Sequence, residues 1–360
     1  MNILIVPDSY KGSLSSAEVC ECIANGIAAT DGSHTLTALP FADGGEGFME
    51  CLVDIRKGNM LYTQASDIYG KRSEKCIGVF GDTAVIDCAT ASGIQAKKNV
   101  IRASSYGTGE LIKFAVSEGF CNIILGLGGT GCCDGGAGAL AALGVVFYDE
   151  NQIKISRPNG GNLNDIFGIN LRNRVKDINF TFACDVDNVY AGKNGAAYVF
   201  APQKGATPSQ VELLDEGLKR LNAFLPGDVS SVAGAGAAGG ICGGLYSVYG
   251  GVIRSGFDIL AEYADLENKI ADCDLVITGE GKTDRQTLMG KLPYKVTNLA
   301  RQHSKPCIVI SGTAEDGVKL GDKMFTLTDE HTDTAAAIAG AATLLTEKSK
   351  IILQNIADII

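Results

Sequence analysis

The chain has 360 residues, enough for one large or two medium domains each burying its own core, and a formal net charge of −10, which argues against a nucleic-acid partner. Its 46 glycines, set against 13 Phe, 11 Tyr and no Trp, imply many tight turns and helices packed through small residues. No apolar run reaches the roughly eighteen residues of a membrane helix, and the opening NILIVPD lacks the basic region and cleavage site of a signal peptide, so a cytoplasmic chain with no membrane partner is expected.

Residues 2–7 read as a short apolar strand followed by the loop DSYKG. Ser15 and Glu18 form a capping-box signature, and Val19, Ile23 and Ile27 repeat at four-residue spacing, so a helix follows. Ser9 and Lys11 therefore sit at the carboxyl end of a strand, where open α/β sheets bind ligands. The same texture recurs at once: residues 35–40 as strand, then Asp43 and Glu46 among glycines, then the helix FMECLVDI. From 61 to 94 short β segments with glycine punctuation suggest antiparallel or mixed pairing. A helix over 108–118 and a strand over 122–125 lead into the most glycine-rich corner of the chain.

That corner, residues 126–138, carries Gly126, Gly128, Gly129, Thr130, Gly131 and Asp134 ahead of an Ala/Leu helix. A strand that breaks into glycine and re-forms as a helix offers backbone donors and a helix dipole to a phosphate. The run also fits the GxGxxG pattern of dinucleotide sites, with Asp149 at about the distance of a ribose-binding acid. An oxidoreductase is thus a rival reading, although Asp134 puts a carboxylate where a pyrophosphate would lie. Further on, strand 180–184 delivers Asp185 and Asp187 to a strand end, and Lys204 sits in the loop before a helix from about Ser209. The glycines of 234–244 read as close helix packing.

From about residue 257 the α/β alternation returns. Strand 274–278 runs into a loop with Lys282 and Asp284. Gly281-Lys282-Thr283 imitates the tail of a P-loop, but Val276 stands where its first glycine is required. Lys291 opens a helix over 292–302, and strands at 307–311 and 324–327 precede a C-terminal helix. Similar front and back with a different middle predict a parallel-sheet domain of residues 1–58 and 256–360, interrupted by a domain of residues 59–255, with the ligand cleft between them. Twelve cysteines without CxxC spacing, and only three histidines, argue against zinc and read as core residues of a reducing compartment.

The loops thus collect lysines (Lys11, Lys204, Lys282, Lys291), carboxylates (Asp43, Glu46, Asp134, Asp185, Asp284) and glycines. This is the inventory of phosphoryl transfer: lysines neutralise the moving group, carboxylates hold magnesium, and one carboxylate takes the acceptor's proton. PDSYKGSLSSAEV, LPFADGGEGF, SYGTGELI, GLGGTGCCDGGAGALAALG, ACDVDN, VFAPQKGAT, GAGAAGG and LVITGEGKTDRQTLMGK, in this order, resemble the bacterial glycerate kinase family of the type unrelated to P-loop kinases. The resemblance spans residues 2 to about 312.

It implies a flavodoxin-like domain interrupted by an inserted α/β domain, and ATP- and magnesium-dependent phosphorylation of D-glycerate. Ser9, Lys11, Asp43 and Glu46 would hold glycerate. The glycine loop, with Asp134, Lys204, Lys282 and Lys291, would take the nucleotide, and Asp185 and Asp284 would hold magnesium or act as base. Which carboxylate does which stays open, as do the 2- or 3-hydroxyl as acceptor and the oligomeric state, a homodimer included. Departures from the family pattern are Cys133 for Asn, Lys282-Thr283 for Arg-Ile, Val189 for Pro, and a shortened stretch after Ser311. Lys for Arg loses the bidentate fork for phosphate. A non-catalytic sugar-acid sensor is the third reading; formation of phosphoglycerate separates the kinase from it, and a nicotinamide absorbance change would favour the oxidoreductase.

Overall fold

The computed structural model describes residues 1–30, 33–42, 44–45, 47–328, 332 and 334–356. In chain order the strands are β1 (Asn2–Ile5), β2 (Thr35–Ala38), β3 (Asn59–Ser66), β4 (Arg72–Phe80), β5 (Thr83–Asp87), β6 (Asn122–Gly126) and β7 (Val146–Tyr148). Then follow β8 (Lys154–Ile155), β9 (Gly168–Asn170), β10 (Asn179–Ala183), β11 (Val252–Arg254), β12 (Leu275–Thr283), β13 (Cys307–Ala314) and β14 (Lys323–Thr326).

The chain divides into two compact units, Met1–Asp43 with Phe257–Ile360, and Gly44–Gly256. The sequence texture set the first boundary at residue 58, which put helix Phe48–Arg56 in the first unit. That helix instead packs on β4 and β5 of the second unit, where Gly78 of β4 lies against Met49 and Val53 of the helix. The change of texture marks the start of β3, one element after the chain has already crossed.

The first unit is built on one sheet in the order β14-β13-β12-β1-β2, every pair parallel. Renumbered within the unit this is 2-1-3-4-5, the flavodoxin-like order. Strand alternation sends Ile3, Ile5, Ile277, Ile308 and Ile310 to one face. There they meet Val19, Ile23 and Ile27 of helix Ser16–Ala28 and Leu345, Ile352 and Leu353 of helix Ala341–Gln354. Each such side chain contributes roughly 1.5–3 kcal/mol when removed from water. Leu4, Val276 and Val309 alternate to the opposite face, where helix Leu292–Gln302 packs on β12 and β13. The expected capping box is present: Glu18 N–H donates to Ser15 Oγ, and Ser15 N–H to Glu18 Oε2.

The second unit holds a six-stranded sheet in the order β11-β10-β6-β5-β4-β3. β11, β10, β6 and β5 run parallel, and β5, β4 and β3 form the antiparallel part that the glycine-punctuated segments suggested. A small antiparallel sheet, β8-β7-β9, lies within residues 146–170, which the sequence reading had taken beyond residue 154 for surface connection. The glycines of 234–244 do pack closely: Gly239 lies against the Cys132 carbonyl and Gly244 against Gly135. Among the described residues no helix is long and apolar enough to cross a membrane, and none of the twelve cysteines is in a disulfide.

Gly26 lets helix Ser16–Ala28 seat on helix Ala341–Gln354. A Cβ there would collide with the Thr346 carbonyl and lie 2.8 Å from Ser349 Cβ. Alanine gains up to about 1 kcal/mol of helix propensity over glycine, but overpacking against a backbone atom costs about 1–3 kcal/mol. Gly26→Ala is therefore expected to lower the unfolding free energy by about 1–2 kcal/mol net, read as a lower urea midpoint; a raised midpoint would mean the two helices separate freely.

Candidate active site

Right-handed crossovers put the helix after β1 and the helix after β12 on opposite faces of the sheet. Between these neighbouring strands the two chains leave in opposite directions and open a crevice at their carboxyl ends, the position at which such sheets take ligands. A cavity of about 530 Å³ lies there. It brings together Ser9, Lys11, Lys282, Asp284 and Lys291, five of the residues singled out from the sequence, and adds Asp8, Tyr10 and Glu280.

The β1 side is a tight turn. Ser9 N–H donates to Asp8 Oδ1 (2.7 Å), and Tyr10 N–H to the Leu14 carbonyl (2.8 Å). The Tyr10 hydroxyl donates to the Ile310 carbonyl of β13 (2.8 Å), which anchors the turn over β12. That contact depends on Gly279, where a Cβ would collide with the same carbonyl.

The β12 side differs from the sequence expectation, which ended the strand at residue 278. The strand runs on to Thr283, because Lys282 and Thr283 still pair with Thr313 and Ala314 of β13. Lys282 and its neighbours thus stand on a hydrogen-bonded ladder. Asp284 lies 3.7 Å from Lys282 Nζ and 3.9 Å from Lys291 Nζ. Burial pulls its carboxyl up, but Lys291, the backbone N–H groups of Gln286 and Thr287, and Lys282 outweigh that and hold it below the ordinary value. Glu280 is only 5% exposed. It accepts from Thr287 Oγ1 (2.6 Å) and Thr283 Oγ1 (3.2 Å), and faces Lys291 Nζ at 3.8 Å. Burial pushes its carboxyl up, against those hydroxyls and Lys291. The sequence analysis did not single out Glu280, because a loop assignment gave no reason to prefer it over its neighbours; the length of β12 supplies the reason.

In the second unit the donors at the start of the helix that follows the glycine loop are taken by protein groups. Asp134 is fully buried, and its carboxylate accepts from Ser105 N–H (2.7 Å), Ser105 Oγ (2.9 Å), Gly136 N–H and Gly138 N–H (both 3.2 Å). Ala139 N–H goes to Ser105 Oγ. The donors at the start of helix Ala137–Ala142 are therefore taken, and burial raises the Asp134 carboxyl despite them. Gly131 N–H donates to the Ser92 carbonyl, and Gly126, Gly128 and Gly131 pack against Asp87, Gly45 and Gly93–Ile94. The Gly129 carbonyl accepts from Ile94 N–H. Lys204, 4% exposed, donates to the Cys132 carbonyl (2.6 Å) and reaches Thr130 Oγ1 (3.3 Å). The close approach that these glycines permit is to the protein itself.

Asp185, just past β10, accepts from Gly256 N–H (3.1 Å), and its other oxygen packs against Gly44. Asp43 and Glu46 lie outside the described residues. Among the described residues no three or more His, Cys, Asp or Glu side chains form a group that could hold a metal. The carboxylate oxygens of Asp284 are hard donors of the kind magnesium takes.

The sequence pattern of the Glycerate kinase family matches residues 3–357. The chain belongs to the glycerate kinase family. The glycerate 2-kinase of Escherichia coli K12 is 40% identical over 330 residues, covering 88% of this chain and 87% of that one. The glycerate kinase of Bacillus cereus is 38% identical, covering 99% and 95%. A crystal structure assigned to glycerate kinase 2 of Salmonella typhimurium LT2 aligns with a TM-score of 0.87 at 37% identity, covering 99% and 98%. The chain is accordingly an enzyme, a kinase that phosphorylates glycerate. Neither the oxidoreductase nor the sensor reading survives membership of the glycerate kinase family. Asp149, the would-be ribose acid, accepts instead from Asn151 N–H and Ile153 N–H in the turn that joins β7 to β8.

Two expectations test this division of labour. Asp134→Ala strands four buried donors, each costing about 1–3 kcal/mol. It should lose at least about 3 kcal/mol in urea unfolding; unchanged stability with weakened nucleotide binding would restore the phosphate-site reading. Asp87, buried at the end of β5, accepts from Met49 N–H (3.3 Å) while its Oδ1 has no partner. Burial, with Glu50 adding repulsion, pushes its carboxyl up to about 7. The native state then binds this proton more tightly than the unfolded chain, so stability drains away as pH rises from about 4 to about 7 and stays lower above. Asp87→Asn should raise Tm at pH 8 and leave it nearly unchanged at pH 4; an equal shift at both would contradict this.

Proposed function

We propose that this glycerate kinase uses ATP and magnesium to phosphorylate D-glycerate, with the cavity between β1 and β12 as the place where acceptor and terminal phosphate are brought together. The observation that carries the reading is the meeting of Ser9, Lys11, Lys282, Lys291 and Asp284 around one cavity of about 530 Å³. Ser9 and Lys11 hold the glycerate carboxylate and hydroxyls. Lys282 and Lys291 set positive charge beside the moving phosphoryl group. Asp284 would give carboxylate oxygen to magnesium. When bound, the metal neutralises phosphate charge and keeps donor and acceptor aligned.

Asp43, Glu46 and Asp185 remain part of the proposal on the sequence alone, as does an active site lying between the two units. Asp134 and Lys204 do not, since their polar atoms are spent inside the second unit. The relative named glycerate 2-kinase supports 2-phosphoglycerate as the product here.

Pure protein with D-glycerate, ATP and magnesium should yield phosphoglycerate, its isomer read by phosphorus NMR. Lys11→Ala should lower kcat by roughly 10²-fold with circular dichroism unchanged, as loss of one charge-stabilising donor does. Asp284→Asn should raise the magnesium concentration giving half-maximal rate. If its midpoint holds and only the plateau falls, Asp284 is no metal ligand; if Lys11→Ala keeps wild-type kinetics, Lys11 is a surface turn residue.

A further inference from the structure

Two of the carboxylates that line the cavity, Asp284 and Glu280, are pushed in opposite directions by their surroundings. Asp284 has a lysine on either side, and these keep it an anion. Glu280 is withdrawn into the wall, and its nearest fixed partners are hydroxyls. Thr287 and Thr283 both donate to Oε1, and Thr283 is itself held by Ser311 Oγ at 2.6 Å. Oε1 is thereby committed to the wall. Oε2 faces Lys291 Nζ at 3.8 Å, outside hydrogen-bond range, on a residue that lines the cavity.

We propose that Glu280, through Oε2, takes the proton from the glycerate hydroxyl that attacks the terminal phosphorus of ATP. The inference rests on the cavity being the reaction site, as argued above. The hydroxyl oxygen forms the new bond to phosphorus. The bridging P–O bond breaks, and its electron pair leaves on ADP. The hydroxyl proton passes to Oε2 and is released to solvent once product departs.

Two features fit Glu280 for this and not Asp284. A pair of carboxyl groups whose environments drive them apart divides the work: the one kept ionised handles charge, and the one with higher proton affinity handles the proton. The charged and titratable groups around Glu280 are Lys291, Asp284 and the Tyr10 phenol from the β1 turn. Lys291 lowers its proton affinity, Asp284 raises it, and burial prevails. Geometry agrees, since the fixed Oε1 leaves one oxygen with one bearing, and Lys291 lies beside that bearing to steady the developing charge.

The test is Glu280→Gln, whose amide oxygen can still accept from Thr283 and Thr287. General bases contribute roughly 10²–10⁴-fold. We expect kcat to fall by at least about 10²-fold, KM for glycerate and ATP to stay within about threefold, and the acid limb of the kcat–pH profile to vanish. A kcat near wild type overturns the proposal. So does a loss that disappears when Glu280→Gln is made in a Lys291→Met background, because Glu280 would then act only by placing Lys291. Should the variant fail to fold, wild-type enzyme must show an acid limb above the ordinary glutamate range that persists in Asp284→Asn; its absence sinks the idea. Wild-type protein that folds, binds glycerate and makes no phosphoglycerate overturns the functional reading and this inference together.

Discussion

Neighbouring strands β1 and β12 run parallel, yet their chains leave toward opposite faces of the sheet, and the site of the first unit depends on that divergence. Had both crossovers used one face, the turn after β1 would close over the end of β12. As it is, the crevice stays open and each strand contributes its own set of groups. The β1 turn is clamped by the Tyr10 hydroxyl on Ile310. The β12 groups stand on a ladder that continues beyond the level at which β1 stops. Side chains on a paired strand pay little to be held in place, which is what a charged site for a charged substrate requires.

Polar groups are buried in both units, with different consequences. In the first, Glu280 lines a cavity with Oε1 satisfied by two hydroxyls and Oε2 at 3.8 Å from the Lys291 ammonium. In the second, Asp134 spends both oxygens on backbone and serine donors, and Lys204 spends its ammonium on a carbonyl and a threonine. A buried charge that is fully hydrogen-bonded holds a fold in one arrangement; one with a free bearing can do chemistry.

Much of this was legible in the sequence, for reasons that can be named. Short apolar runs and four-residue apolar spacing located strands and helices, the rule that ligands collect at carboxyl ends of parallel strands led to Ser9 and Lys11, and the gathering of lysines and carboxylates in loops led to Lys282 and Asp284. Burial was not legible. Asp134 and Lys204 carry the right chemistry in glycine-rich company, but a linear sequence does not say which way a side chain points, and both point inward. Glu280 was hidden for the converse reason. Glycines on either side of it, Gly279 and Gly281, read as a loop, whereas they are what lets β12 run on beneath Tyr10 and beside β13. Helix Phe48–Arg56 was assigned to the first unit because no local feature of a helix records which sheet its apolar face will cover.

The first unit is assembled from two stretches separated by the whole of the second, and this orders events during synthesis. When β1 and β2 leave the ribosome they have each other, but the remaining edge of β1 has no partner until β12 follows, some 270 residues later in the register Ile3 to Leu275. The second unit has no such debt, since its sheet is complete by Arg254. It can fold while the N-terminal strands wait as an open β edge, the kind of surface on which chains pair wrongly. Vectorial synthesis therefore makes the crevice between β1 and β12 one of the last parts of the molecule to exist.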